Sequence, residues 1–534
     1  MSLSLPSGKY TAQTLNPRSG ERADLPDVVS DAGTTTISLH FSEDVALLLS
    51  PAETLAFSDI TLSAGTGGPT AKDELGGHGV MFADVDTDGL ADLYITMIFD
   101  KPMPDLFFRN LGNNTFASEG APRRIADFDG GSHGGCWADL DNDGDYDLVN
   151  GTTWDNPDYP NHNNIFRNNA DGTFTEVTPV CMKDRKQETR GVICFDADSD
   201  GDLDIFCVSG WMGSGDPPGE RNEIYENKGN FQFTSIESGP LYDCPAGQGA
   251  GDTDYDGDGD IDVIACNRDG DLNILRNDGG LNSFTKIDPV SIGIRHRAYG
   301  GATTADIDND GDLDMILVDA SETGHLYSNN GDGTFSFVRS FSKVDGYMAG
   351  LADLDNDGDL DLVFAGDKKA YLNDGSGVFS IGPAMPVSGI NDPRAIAFAD
   401  IDNDGDLDFA VGVKRSRNWL VRNDYTGKNN WLKVRLVSPG GQAGAFGAKV
   451  SIYPAGKGSR RSLLGLREAK SNYGYLGQDD PVLHFGLGPH ESVDIVIVFL
   501  DGSEAATTDV PANQTVAVEG ASIKHKKADR VPGP

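Results

Sequence analysis

Residues 352–366 read ADLDNDGDLDLVFAG, five aspartates within nine positions followed at once by apolar residues. Carboxylates this close raise one another's pKa unless positive charge sits among them, so the run implies a cation. Asp353, Asp355 and Asp357 alternate, Gly358 permits a sharp turn, and Asp361 closes the run. Oxygen ligands at positions one, three, five and nine, with a backbone carbonyl at seven, suit the roughly six- to eight-fold coordination of calcium; magnesium prefers fewer protein ligands and keeps its waters. An EF-hand would need helices on both sides and a glutamate at position twelve. Here the flanks read as short apolar strands.

The same D-x-D-x-D-G-x-x-D pattern begins at Asp84, Asp139, Asp196, Asp254, Asp306, Asp353 and Asp400, at spacings of 55, 57, 58, 52, 47 and 47 residues. The expected ligands are therefore Asp84, Asp86, Asp88 and Asp92; Asp139, Asp141, Asp143 and Asp147; Asp196, Asp198, Asp200 and Asp204; and Asp254, Asp256, Asp258 and Asp262. The last three loops supply Asp306, Asp308, Asp310 and Asp314; Asp353, Asp355, Asp357 and Asp361; and Asp400, Asp402, Asp404 and Asp408. One calcium per loop gives about seven ions. A solvated face or disordered tail, the bland reading of acidic runs, does not explain a spacing that recurs in register.

Most loops are followed by an apolar strand, a strand ending in Asn (LFFRN, NIFRN, EIYEN, NILRN, HLYSN, AYLN, WLVRN) and a G-x-F strand such as DGTFTEV. Four short antiparallel strands per repeat make a propeller blade, and such repeats must stack on neighbours to bury their faces. After WLVRN the fourth strand is missing, while LAFSDITLSAG, residues 55–65, stands unused before the first loop. Its transfer to the last blade completes seven sets of four and leaves no open sheet edge. The expected fold is thus all-β: a seven-bladed β-propeller closed by an N-terminal strand, then a small β-sandwich from the alternating strands WLKVRL, KVSIY and VDIVIVF. Expected boundaries are 1–52 for an N-terminal extension, 53–427 for the propeller, 428–520 for the sandwich and 521–534 for a basic tail.

These loops and blade strands resemble FG-GAP/VCBS repeats, the type found in integrin α-subunit propellers and in many secreted proteins. NNWLKVRLVSPGG, GAFGAKVSIYPAG, LHFGLG and VPANQTVAVEG are similar to the ASPIC/UnbV domain that follows such propellers in cartilage-acidic-protein-like chains. VFLDGSE stands where that domain carries a Trp-Pro-containing turn. The resemblance spans residues from about 53 to 520. It implies calcium binding and extracellular or adhesion-like roles, with a protein partner among them, but a fold does not fix a function.

The formal net charge of -42 excludes nucleic-acid binding through phosphates. The expected ligands in the seven loops are 28 of the 84 acidic residues, and seven divalent ions would offset about 14 charges. No run reaches membrane-spanning length and the N-terminus lacks a secretory apolar core. Calcium loops favour an extracellular or secreted setting, with an intracellular one open. Sequons at Asn113, Asn150 and Asn513 are compatible with secretion. Cys136, Cys181, Cys194, Cys207, Cys244 and Cys266 form no C-x-x-C pair; Cys194 and Cys207 flank one loop, either bridged or as buried thiols. Phosphate-loop, dinucleotide, serine-elbow and H-E-x-x-H motifs are absent.

Function is sought where the repeats differ. Calcium would pin hairpins on one face without doing chemistry. At the start of each innermost strand, on the opposite face, the scaffold makes no repeated demand, yet His78, His133, Arg190, Gln248, Tyr299, Tyr347 and Arg394 stand there, with Arg295, His296 and Arg297 just ahead of Tyr299. Converging on one axis, these side chains would ring a central funnel that favours a small anionic or hydroxylated ligand, an acid or a glycan. Longer loops in the first three repeats would bring Trp154, Asp155, Tyr159, His162 and Trp211 over the same face. Three readings stand open. The ring hydrogen-bonds neighbouring loops around water; it binds a ligand; or His78, His133, Arg190, Tyr347 and Arg394 perform acid–base chemistry as a lyase, isomerase or cyclase.

Overall fold

Each Asp-rich loop joins the two innermost strands of one sheet, and the sequence after it builds outward. The computed structural model describes residues 54–67, 77–98, 104–125, 131–152, 162–184, 188–210, 221–242, 247–267, 270–387, 392–414, 416–456 and 463–520, with backbone strands alone at Ser2–Leu5, Gly8–Leu15, Arg22–Ser30, Gly33–Thr36, Ala46–Pro51 and Ser522–Lys524. Residues 1–55 and 424–428 form one compact unit. In it Gly8–Leu15 pairs antiparallel with both Arg22–Ser30 and Ala46–Pro51, so the segment expected as an extension has strands of its own.

The second unit holds residues 56–423 and 429–534. Among the described residues, seven of its sheets share one plan of four antiparallel strands, innermost strand first. In the first, Gly77–Ala83, Asp92–Met97, Leu106–Asn110 and Phe116–Ser118 lie in that order. The last contains Pro393–Ala399, Asp408–Val413 and Trp419–Asn423 and is completed by Phe57–Asp59, with Val421 opposite Asp59 and Asn423 opposite Phe57. The transfer of the N-terminal strand therefore holds. Each innermost strand packs on that of the next sheet, and Pro393–Ala399 returns to Gly77–Ala83. The sheets close into a propeller.

Apolar side chains fill the gaps between sheets. Trp137 of the second sheet is fully buried against Tyr94 and Phe107 of the first, at ring distances of 5.7 and 6.5 Å. Such burial contributes about 1.5–3 kcal/mol per large apolar side chain. The asparagine that ends each third strand adds a polar belt. Its amide donates to the carbonyl of the second loop residue in the preceding sheet: Asn168 to Val85, Asn227 to Leu140, Asn277 to Ala197, Asn329 to Tyr255, Asn373 to Ile307 and Asn423 to Leu354, at 2.7–3.0 Å. Asn110 completes the circle by donating to Ile401 at 2.8 Å.

The C-terminal strands form two four-stranded sheets, as the alternation predicts. One orders Leu483–Gly488, Asn430–Val437, Gln514–Glu519 and Ser522–Lys524; the other orders Gly465–Glu468, Lys449–Pro454, Ser492–Val498 and Glu504–Pro511. Leu432, Val434, Val450, Ile452, Ile495 and Val516 bury completely, in a core continuous with Cys136, Val149 and Val192 of the propeller.

The expectation of an open funnel is corrected here. Between Gly465–Glu468 and Leu483–Gly488 the chain leaves the sandwich and enters the propeller axis. Gly477–Gln478 pairs in parallel with Gly77–Ala83, and Val80 N–H donates to Leu476 O at 3.1 Å. Ser471 and Asn472 N–H groups donate to the Asp252 carboxylate, Thr303 donates to Tyr473 O, and Gln478 exchanges two hydrogen bonds with the Trp137 backbone at 2.7 and 2.8 Å. Gly301 makes room for this segment: a Cβ there would lie 2.4 Å from the Gly474 carbonyl carbon. The buried innermost strands left an axis that a glycine-rich segment of the same chain fills.

Candidate functional site

The Asp loops share one geometry. The first aspartate accepts the N–H of the loop glycine through Oδ2 in all seven loops, from Gly89 at 3.0 Å to Gly405 at 3.1 Å. The fourth position takes a left-handed conformation, as at Asn142, Asn309, Asn356 and Asn403 with φ of 58–59°. Asparagine tolerates that region better than most residues. The ninth aspartate accepts the N–H of the belt asparagine, for example Asp147 from Asn168 at 2.8 Å. Burial pushes these ninth carboxyls up to about 8 at Asp92, Asp204 and Asp314 and about 9 at Asp147 and Asp262, and well above the carboxylate range at Asp361 and Asp408.

The third aspartate tests whether a cation fits. Oδ1 of Asp86, Asp141, Asp198, Asp256, Asp308, Asp355 and Asp402 is buried without a hydrogen-bond donor. In the loops of Asp139, Asp196, Asp254 and Asp306, ligand atoms from positions one, three and nine lie within 4.8 Å of one another; in the loop of Asp84, those from positions one, three and five do. One buried acceptor left bare at the same position seven times is what a hard cation would satisfy.

The C-terminal domain leans on these loops. Lys433 pairs with Asp400 at 2.7 Å, Lys449 with Asp254 at 2.7 Å and Arg435 with Asp84 at 3.0 Å, while Ala443 N–H donates to Asp139 at 2.8 Å. Its strands thus cover the face that carries the loops.

On the opposite face most of the expected ring assembles. His78 and His133 are each 1% exposed, with ring centroids 3.8 Å apart, and Nδ1 of both is buried without a partner. Arg190 Nη1 lies 3.3 Å from His133 Nε2, and its Nε donates to Gly210 O at 2.9 Å. Arg394 pairs with Asp392 and lies over the Tyr347 ring at 5.2 Å, and Tyr347 packs on Tyr299 at 4.8 Å. Burial, reinforced by Arg394, Lys414 and Arg190, holds the His78 imidazole well below its ordinary range. Burial and then His78 itself do the same to His133.

At the centre stands a residue that the sequence reading missed. Tyr475, from the axial segment, is fully buried, 6.3 Å from both imidazole rings, and accepts a hydrogen bond from Gln248 Nε2 at 2.6 Å. The available signal was the glycine pairing of GHGV, HGGC, QGAG and YGGA on the inner strands with SNYGYLGQ in the C-terminal domain. No local period connects them.

Three expected site residues take other roles. His296 stacks on His325 at 3.8 Å and bonds to Tyr327; Arg297 pairs with Asp271 at 3.2 Å; Arg295 is exposed, with its N–H on Tyr327. The turn Pro289–Ile292 and the buried Ile294 and Ala298 direct this stretch along the fifth sheet instead of the axis. His162 is half-buried, its Nδ1 3.0 Å from Asn163 O. Trp154, Asp155, Tyr159 and Trp211, with Cys244, lie outside the described residues. Cys136, Cys194 and Cys207 are free thiols, which corrects the possible Cys194–Cys207 bridge. Cys194 pairs with Ile205, so the two strands place Cys207 off register. Asn150 is fully buried, its amide donating to Asp105 at 2.7 Å, and is no glycosylation acceptor in the folded chain.

Family models match this chain in two regions: the FG-GAP-like repeat at residues 153–207, 254–317, 306–364 and 353–411, and ASPIC and UnbV at 439–525. The chain carries FG-GAP-like repeats followed by an ASPIC and UnbV domain. Cartilage acidic protein 1 from Xenopus tropicalis is 40% identical over 77 residues, 14% of this chain and 11% of that protein. Its Homo sapiens counterpart is 40% identical over 76 residues, 14% and 10% of the two chains. The match therefore spans about a tenth of those relatives' length. Among solved structures, BBS1N in complex with ARL6DN aligns over 68% of this chain and 98% of that one, at 13% identity and a TM-score of 0.43. The BP39L lectin from Burkholderia pseudomallei aligns over 66% and 98%, at 11% identity and 0.40. Among the described residues no helix is long and apolar enough to cross a membrane.

Proposed function

We propose that this protein is a calcium-stabilised β-propeller that binds a small anionic or hydroxylated ligand at the buried axial cluster on the side away from the Asp loops. The supporting observation is the convergence of His78, His133, Arg190, Gln248 and Arg394, from different sheets, on one buried point in a chain that is acidic almost everywhere else. Glu188 and Asp392 pair with the two arginines from one side, and the buried hydrogen-bonding atoms left unused at this point call for a partner. The bare third-position carboxylates support calcium in the loops on the other face. When bound, the ion supplies positive charge and oxygen coordination that hold each hairpin; the aspartates only bind it.

The test is a calorimetric screen of sugars, small carboxylates and phosphates against calcium-loaded protein and a His133→Ala, Arg190→Ala variant of equal melting temperature and metal content. Saturable binding lost in the variant supports the reading; binding retained there refutes it.

Acid–base turnover at the same point is the second reading, favoured by two touching imidazoles with unpartnered Nδ1 atoms. Burial keeps both neutral, the form in which a base accepts a proton. Elimination, isomerisation or cyclisation fits that chemistry. The calcium loops and the relatives' type of repeat favour an extracellular setting, in which a protein partner is a further role.

A further inference from the structure

We propose that the C-terminal domain completes this binding site by contributing Tyr475, and that the ligand class is an oxyanion, a carboxylate or phosphoryl group, over a neutral sugar. The inference rests on the reading of the axial cluster as a binding site and adds to it one residue, one domain and one chemistry.

The case is a count of donors. Gln248 Nε2 donates to Tyr475 Oη at 2.6 Å, and Gln248 Oε1 has no partner. The phenol's own proton then has no acceptor among the described residues. If the amide is turned over, Tyr475 donates to it instead and both amide hydrogens stay unused. Either orientation leaves the pair with a spare donor. Arg394 Nε is buried without a partner although its Nη groups reach Asp392. Each neutral imidazole brings one N–H and one lone pair, and Arg190 Nη1 stands 3.3 Å from His133 Nε2 to take up that of His133. Donors outnumber acceptors at this buried point, and an acceptor with several lone pairs and negative charge satisfies the excess. A carboxylate or phosphoryl group has both; a sugar hydroxyl brings a proton of its own for every oxygen.

Tyr475 is also held as a positioned group is. Gly249 would place a Cβ 2.9 Å from Tyr475 Cδ2, and Gly301 would place one 2.6 Å from its backbone nitrogen. Burial keeps the phenol protonated, raising its pKa, while Arg394 and Arg190 work the other way. The residue can therefore donate but not wander. Two domains that look separable in sequence are needed for one site.

Full-length calcium-loaded protein is titrated calorimetrically with acetate, inorganic phosphate, iodide and glucose, and the titrations are repeated with Tyr475→Phe and Gln248→Glu. Loss of one hydrogen bond to a charged acceptor predicts about a 10- to 100-fold weaker oxyanion affinity in Tyr475→Phe, with iodide binding unchanged. Gln248→Glu, nearly isosteric, places a carboxylate against the ligand and should abolish oxyanion binding. Wild-type oxyanion binding that Tyr475→Phe leaves intact overturns the role of Tyr475 and spares the cluster. Tighter binding of glucose than of acetate or phosphate overturns the oxyanion class. No binding of any probe to the wild type overturns the binding-site reading itself. Should Tyr475→Phe melt lower than the wild type, the titrations are run at a temperature where both are fully folded, and the same outcomes are read there.

Discussion

Asn168→Ala tests whether the propeller is held by its asparagine belt. The substitution removes donors to Val85 O at 2.8 Å and Tyr146 O at 3.3 Å, and the acceptor for Ala170 N–H at 3.1 Å. Asn168 is 3% exposed, so water does not replace these partners. Each buried polar group left bare costs about 1–3 kcal/mol; with two carbonyls sharing one amide, the expected loss is about 2–4 kcal/mol. Asn168→Asp should cost more, since it sets a carboxylate oxygen against the same two carbonyls. Urea unfolding followed by tryptophan fluorescence gives the midpoint, compared with the exposed outer-strand substitution Lys286→Ala, expected within about 0.5 kcal/mol of wild type. Asn227→Ala, one sheet on, has equivalent bonds to Leu140 and Leu203 and should show a similar cost. A loss below about 0.5 kcal/mol at both positions would refute the belt as a stabilising element.

Calcium removal by EGTA should lower the melting temperature, and readdition should restore it. At a hundredfold excess over Kd each independent site contributes about 2.7 kcal/mol, and elemental analysis of the dialysed protein reports the ions bound. The His78 and His133 imidazoles are held below their ordinary pKa of about 6.5 in the fold. Their contribution is present above that pH and is lost as pH falls through it, at up to about 1.4 kcal/mol per unit per histidine. Relative to wild type, a His78→Gln, His133→Gln variant should therefore gain about 2 kcal/mol between pH 6.5 and 5.5 in urea melts; a pH-independent difference contradicts the burial. Gly301→Ala drives a methyl into the Gly474 backbone. It should destabilise by about 1–3 kcal/mol and raise hydrogen exchange in residues 469–480, where unchanged exchange would count against the axial packing.

The loops and ring closure were legible because their determinants are local. Four aspartates and a glycine within nine residues fix a turn and a cation site without reference to distant chain, and the unused strand at Phe57–Asp59 announced itself by the gap after WLVRN. The axial segment obeys no local rule. Tyr475 meets Gln248 across 227 positions and Gln478 meets Trp137 across 341, through side-chain hydrogen bonds that no local pattern announces. Arg295, His296 and Arg297 misled for a related reason. Their nearness to Tyr299 in sequence says nothing about direction, and the cross-strand partners Tyr327 and His325 pull this stretch onto the sheet.

The acidity of the chain follows from the same geometry, and magnitudes decide which charges matter. Lys433, Lys449 and Arg435 offset one first-position carboxylate each and Arg123 pairs with Asp86, while the loops carry 28 ligand aspartates. Four ion pairs cannot neutralise seven such clusters. Without a cation the ninth aspartates are pushed by burial toward the protonated form, to about 9 at Asp147 and Asp262, yet protonation leaves the third aspartates with bare buried oxygens all the same. A divalent ion satisfies both at once, because it favours the ionised ninth carboxyl and coordinates the third. The C-terminal cations then have a separate task. By gripping first-position carboxylates on three loops they fix the sandwich on that face, and the segment that leaves it can reach through the axis to set Tyr475 beside His78 and His133.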